Sequence, residues 1–258
     1  MADALRVFER EAVVFRRVWR GSIVSTVVTP ILFLAGIGVG LGGLIDERSG
    51  AVDGLSYLDF VVPGLLAGSA MQLGAFSGLW SVMIGTTWGR YFHGMAATPI
   101  TPGGVYGGYV LWVGVRAAGS ASAFLLAAAL VGGVPSWWGV LGVPIATLTA
   151  LSFTAPITAF TAAQEHDQAF PVIVRLGVMP LFLFSATFFP LDQLPSWLRP
   201  LAWASPLWHG VELMRAATVG RLSYVGVGDA ALHLAVLAAV IGAGWAVGVR
   251  TMTRKLAA

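Results

Sequence analysis

The chain has 258 residues, 57% of them hydrophobic and only 10% charged, with a mean hydropathy of +0.81 and a formal net charge of +3. Soluble domains carry roughly 25% charged residues, so this composition excludes a water-soluble globule and places the chain in a bilayer as an all-α polytopic membrane protein. The lack of cysteine excludes disulfides, thiolate metal sites and cysteine nucleophiles, and the single lysine, Lys255, lies outside any GxxxxGK[ST] pattern, which excludes a P-loop nucleotide site.

The first element is residues 4–20. Leu5, Phe8, Ala12, Phe15 and Trp19 recur at helical spacing, and Arg6, Arg10, Arg16, Arg17 and Arg20 fill the other faces. This pattern predicts a basic amphipathic helix suited to the cytoplasmic interface and to membrane lipids. The charges ahead of the first apolar run do not read as a signal peptide.

Six spans are expected, over residues 22–44, 57–84, 105–131, 137–161, 170–190 and 230–249. A mostly acidic stretch separates the first two. A glycine- and proline-marked loop, GTTWGRYFHGMAATPITPGG, fills 85–104, and QEHDQ, residues 164–168, joins the fourth and fifth. An even number of spans leaves both termini on one side. That side carries Arg6, Arg10, Arg16, Arg17, Arg20, Arg90, Arg250, Arg254 and Lys255, whereas the other carries Arg48, Arg199, Arg215 and Arg221. The asymmetry predicts cytoplasmic termini, and a charge so placed implies membrane orientation rather than a nucleic-acid partner.

Within the spans, Gly38–Gly43 matches GxGxxG, but a dinucleotide site needs a strand before it and a βαβ unit around it. Close helix packing is the better reading, and Gly36/Gly40, Gly64/Gly68 and Gly74/Gly78 share the small-xxx-small spacing. Arg116 lies eleven residues, about 17 Å of helical rise, beyond Val105. A membrane-embedded arginine faces a pathway or pairs with a neighbouring helix, and both readings stand. No acidic residue lies deep inside a span, which argues against an ion-coupled carrier.

Glu165, His166 and Asp167 are consecutive, so on a helix they point in different directions; a polar loop touching a partner fits them better than a metal site. His209 and Glu212 sit one turn apart. They read as a metal pair, as the site of a membrane-embedded enzyme, or as an interfacial pair. HExxH and GxSxG are both absent.

The stretch FSATFFPLDQLPSWLRPLAWASPLWHGVELMR, Phe184–Arg215, is too polar and proline-rich to cross a membrane and too apolar for an ordinary loop. Pro190 ends the fifth span, Asp192 is positioned to cap a short helix with Pro195 near its first turn, and Pro206 opens a second helix with His209, Glu212 and Arg215 along one side. Trp197 and Trp208 favour the interface. The expected product is an outer re-entrant hairpin over 191–224. It is either a lid over an exit, with Arg116, Phe184, Phe188, Phe189, Trp197, His209 and Glu212 as pathway or gate residues, or an anchor.

Two motifs carry a family resemblance. GRYFHGMAATPITPGG, with Ala97-Thr98-Pro99-Ile100-Thr101-Pro102, resembles the first cytoplasmic loop of ABC-2 type permeases. The Phe184–Arg215 stretch is similar to that family's FSxxFFP ending, DxLP step and PLxHxxELxR helix, through Phe184, Ser185, Phe188, Phe189, Pro190, Leu194, Pro195, Pro206, Leu207, His209, Glu212, Leu213 and Arg215. The likeness is to the subgroup of nodulation-factor and daunorubicin-resistance-type exporters. It implies a transport subunit of a bacterial plasma membrane, paired with a second permease copy and two ATP-binding cassette subunits. ATP and Mg would be bound by those partners, with no cofactor in this chain. The resemblance assigns ATPase contacts to Arg90, Tyr91, Phe92, His93 and Met95, with Arg16, Arg17 and Glu165 beside them.

Overall fold

The computed structural model describes residues 2–23, 28, 31, 32, 34–43, 47, 52, 54–220 and 226–257. Helices account for nearly all of it. They are α1 (Ala2–Ile23), α2 (Tyr57–Trp88), α3 (Tyr91–Ala96), α4 (Pro102–Leu130), α5 (Trp137–Ala162), α6 (Phe170–Phe184), α7 (Arg199–Trp203), α8 (Pro206–Val219) and α9 (Val227–Ala257). A π-helical segment, Leu34–Leu41, precedes α2. Much of the expected first span, including 24–27, 29, 30, 33 and 44, lies outside the described residues, as do Arg48 and Arg221.

Four helices among the described residues are long and apolar enough to cross a membrane: α2 with 32 residues, α4 with 29, α5 with 26 and the stretch Gly228–Ala257 of α9 with 30. The second and sixth expected spans therefore run longer than 57–84 and 230–249, and Gly85–Trp88 belongs to α2 rather than to the loop. The fifth differs in the other direction. Its helix stops at Phe184 rather than Pro190, about 22 Å of rise against a hydrocarbon layer of roughly 30 Å.

Local chemistry sets the starts. Ser56 caps α2 by accepting from the Asp59 amide at 3.2 Å. Thr101 caps α4 by accepting from the Gly104 amide at 3.1 Å, with Pro102 at the first helical position, and Ser205 caps α8 ahead of Pro206.

Helix α2 is the axis of the bundle. Val61, Leu65 and Met71 meet Phe124 of α4, Phe153 of α5 and Met214 of α8 in one core. Glycine lets backbones touch there: a Cβ on Gly74 would collide with the Ala150 carbonyl of α5, and one on Gly64 with the Thr187 backbone. Gly68 is as tightly covered, by the Phe182 ring, and Gly78 less so, by Ile157, whereas none of the described residues lies within 4 Å of a Cβ at Gly36.

A second core, of Val7, Val82, Phe92, Tyr106, Tyr109 and Met252, fills the end of the bundle that carries both termini. Helix α1 joins it by packing along α4. Asp3 accepts from the Thr101 amide and hydroxyl at 3.1 and 3.0 Å, and Phe8 and Phe15 both meet the Trp112 ring edge-on. The two helices thus run side by side in the same direction. The Tyr106 hydroxyl lies 2.9 Å from the Ala155 carbonyl of α5 and 3.1 Å from the Gly244 carbonyl of α9.

Candidate functional site: a cytoplasmic-motif cleft and an outer-motif corner

Two clusters gather the residues singled out in the sequence. The first surrounds α3. Gly89 closes α2 by donating to the Ile84 carbonyl at 2.7 Å, and Arg90 then adopts φ 51°, a left-handed conformation unusual for a non-glycine residue. This sharp reversal swings α3 back against the bundle. Phe92 is its anchor, fully buried against Gly85 and the Tyr109 ring. Phe92 therefore offers no surface to a partner, in contrast to the expected contact role. Tyr91 is half-buried beneath the Arg10 guanidinium, 4.0 Å from its ring centre, and Arg10 also pairs with Glu11.

Arg90, His93 and Glu165 converge on a cleft of about 690 Å³, which Thr86, Thr87, His166, Thr251, Arg254 and Lys255 also line. Lys255 closes one wall by donating to the Gln164 carbonyl at 3.0 Å. Burial, with Arg90 and Lys255 nearby, holds the His93 imidazole below its ordinary value. Asp3 is likewise held low, by the hydrogen bonds from Thr101. Met95 is half-buried on α3; Arg16 and Arg17 are exposed on α1 and are not among the cleft's lining residues. The charges of Arg254 and Lys255 were visible in the sequence as markers of orientation. That they face α3 follows only from how α9 packs.

The second cluster is the corner after α6. Ser185 leaves the helix, Ala186 takes φ 58°, and Ser185, Ala186 and Thr187 are buried. The Ser185 hydroxyl meets that of Ser205 at 3.1 Å. Arg215 of α8 donates to the Ala186 carbonyl at 2.7 Å and to Glu212 at 2.9 Å. Phe188 packs edge-on against Phe182, and Phe184 and Phe189 are half-buried.

Several expectations change here. Asp192 caps no helix: Leu191–Gln193 is a single 3₁₀ turn, and the Asp192 and Leu194 carbonyls both accept from Arg199. The helix expected near Pro195 begins at Arg199 instead. His209 and Glu212 do not act together. His209 is buried with its Nδ1 2.7 Å from that of His233 on α9, and Trp208 packs against both rings, whereas Glu212 pairs with Arg215. Trp197 stands 75% exposed. Arg116 sits half-buried at the midpoint of α4, with no ion-pair partner among the described residues. No group of three or more His, Asp or Glu side chains among the described residues could hold a metal.

His233 is the site residue that sequence reasoning missed; Arg215 is expected beside His209 and Glu212 without an assigned role. The ELxR spacing signalled the Glu212–Arg215 pair, but nothing local pointed Arg215 at Ala186.

Comparison with known proteins finds relatives along most of the chain. Nodulation protein J of Rhizobium leguminosarum bv. viciae is 27% identical over 98% of this chain and 94% of its own. Nodulation protein J of Bradyrhizobium diazoefficiens is 30% identical over 90% and 85%. The inner membrane transport permease YadH of Escherichia coli is 25% identical over 83% and 82%. No solved structure gives a significant match. The family described as ABC-2 type transporter matches residues 4–219, which takes in nearly all of α1, α3 and the corner after α6 but not the α9 wall of the cleft, and the chain belongs to that family.

Proposed function

We propose that this chain is the transmembrane subunit of an ATP-driven exporter of the bacterial plasma membrane, with both termini in the cytoplasm. Two copies would pair with two ATP-binding subunits that hold ATP and Mg. The observation that carries this reading is the α3 cleft. A short helix is presented by a strained turn at Arg90, anchored by Phe92 and backed by cationic side chains, in a chain with no nucleotide-binding loop of its own. Such a surface suits a partner that supplies the energy. Arg90, His93, Met95 and Glu165 are its contact residues, and the buried Phe92 transmits force into the core.

The cargo is amphipathic, a drug, lipid or lipid-linked glycan, because the spans offer an apolar route. The names of the relatives, a nodulation protein and a transport permease, fit that assignment. On the opposite side, the corner clamped by Arg215 serves as the exit gate, with Phe184, Phe188 and Phe189 around it. An enzyme centred on His209 and Glu212 has no support, since the two side chains face different partners.

Co-expression with an ATP-binding subunit encoded beside this chain tests the proposal. The wild-type permease should retain that subunit through affinity purification. The Arg90→Ala, Met95→Asp double variant should lose it while keeping its own thermal unfolding midpoint. Retention by the double variant, or no co-purification of the wild type, would overturn the reading.

A further inference from the structure

The cationic cleft does not end at α3. Ala163 and Thr251 also line a second, apolar groove of about 490 Å³ between α5 and α9. Small side chains keep the groove open: Ala159 on α5 and Ala243 on α9, with Phe160, Val240 and Val247 at its sides, while Gly244 forms its floor against the α5 backbone. From Val240 to Thr251 it follows eleven residues of helix, about 17 Å. One leaflet is half of a hydrocarbon layer of roughly 30 Å, so the groove has the length of one acyl layer. At its polar end stand Arg90, Arg254 and Lys255 against the single carboxylate of Glu165. A free anion would use the charged end alone, whereas both features together match a molecule with a negative head and an apolar tail.

We propose that the joined cleft and groove bind an anionic phospholipid of the inner leaflet. Its phosphate lies beside Arg254, Lys255 and Thr251, and an acyl chain lies between α5 and α9. Siting it in the inner leaflet rests on the orientation proposed above. Bound there, the lipid bridges the α3 surface and the C-terminal turns of α9, and so tunes how firmly the partner-facing wall is held. Lys255 already ties that wall to the loop before α6.

Native mass spectrometry of the purified full-length chain, without any ATP-binding subunit, tests this. The probes are dioleoyl-phosphatidylglycerol, dioleoyl-phosphatidylcholine, glycerophosphoglycerol and inorganic phosphate. Phosphatidylglycerol should bind on the order of tenfold more tightly than phosphatidylcholine, and neither chain-free anion should compete. Arg254→Gln with Lys255→Gln should abolish the headgroup preference. Ala243→Trp, at an exposed position on α9, should fill the groove and reduce retention of both lipids. Each variant is checked for an unchanged unfolding midpoint, and Val247→Trp replaces Ala243→Trp if the latter unfolds. Equal binding of the two lipids, equal competition by inorganic phosphate, or unchanged binding by these variants would overturn the proposal. Because no ATP-binding subunit is present, failure of subunit docking leaves this result unaffected.

Discussion

Arg215 holds its guanidinium 4.1 Å from the centre of the Phe60 ring, which joins α8 to the first turn of the central helix α2. The same side chain donates to the Ala186 carbonyl and to Glu212. With its side chain only 13% exposed, it makes these contacts largely away from water. One residue thus closes the corner that ends α6.

Replacing Arg215 by alanine removes the donor to the Ala186 carbonyl and the ion-pair partner of Glu212. The expected loss is about 2–3 kcal/mol, read as a lowered unfolding midpoint in detergent. Arg215→Lys keeps the charge but not the planar fork, so it should restore only part of the loss. Full stability of Arg215→Ala would mean the clamp carries no weight.

The His209–His233 contact requires one proton between two ring nitrogens, because two bare nitrogens or two N–H groups repel at 2.7 Å. His209→Phe and His233→Phe should therefore be non-additive. A double-mutant cycle on unfolding should give a coupling of about 1 kcal/mol or more. Additive effects would show that α8 and α9 are held by Trp208 packing alone.

Glycine substitution separates close approach from mere small size. Gly64→Ala drives a methyl into the Thr187 backbone, which cannot step aside as a side chain would. A loss of about 1–3 kcal/mol is expected. Gly36→Ala meets no atom of the described residues within 4 Å and should leave the unfolding midpoint unchanged. The comparison fails if both variants behave alike.

His93 sets a pH dependence. Its folded value lies below the ordinary 6.5, through burial first and then Arg90 and Lys255. The unfolded chain therefore binds the proton at a higher pH than the folded one, and stability falls as pH drops from 6.5 toward the lower folded value. His93→Gln should flatten that part of a stability–pH curve measured by thermal unfolding. An identical curve would remove His93 as the cause.

The parts of this fold governed by periodicity were legible beforehand. The apolar positions of α1 include Phe8 and Phe15, which pack on Trp112, whereas α4 starts at Pro102 behind the Thr101 cap, three residues before the expected Val105. The motif residues around Arg90 do meet Glu165, more than 70 positions away, in one cleft. What escaped was set by contacts distant in sequence. Nothing in FSATFFP marks Ala186 for a left-handed turn, since alanine has no intrinsic preference for it; Arg215 and the Gly64–Thr187 approach impose it. Asp192 resembled a cap, yet Arg199 claims the neighbouring carbonyls. His209 and His233 are 24 residues apart, and sequence spacing pairs His209 with Glu212 instead.

The Tyr106 hydroxyl, poised between the Ala155 and Gly244 carbonyls, has a mechanical consequence. Three long helices meet at a single phenol, and α1 is fastened to one of them through Asp3 and Thr101. A push delivered beside Arg254 would therefore not bend one rod. It would swing α1, α4, α5 and α9 as a single stiff lever, leaving the Arg215 corner at the far end as the joint that yields.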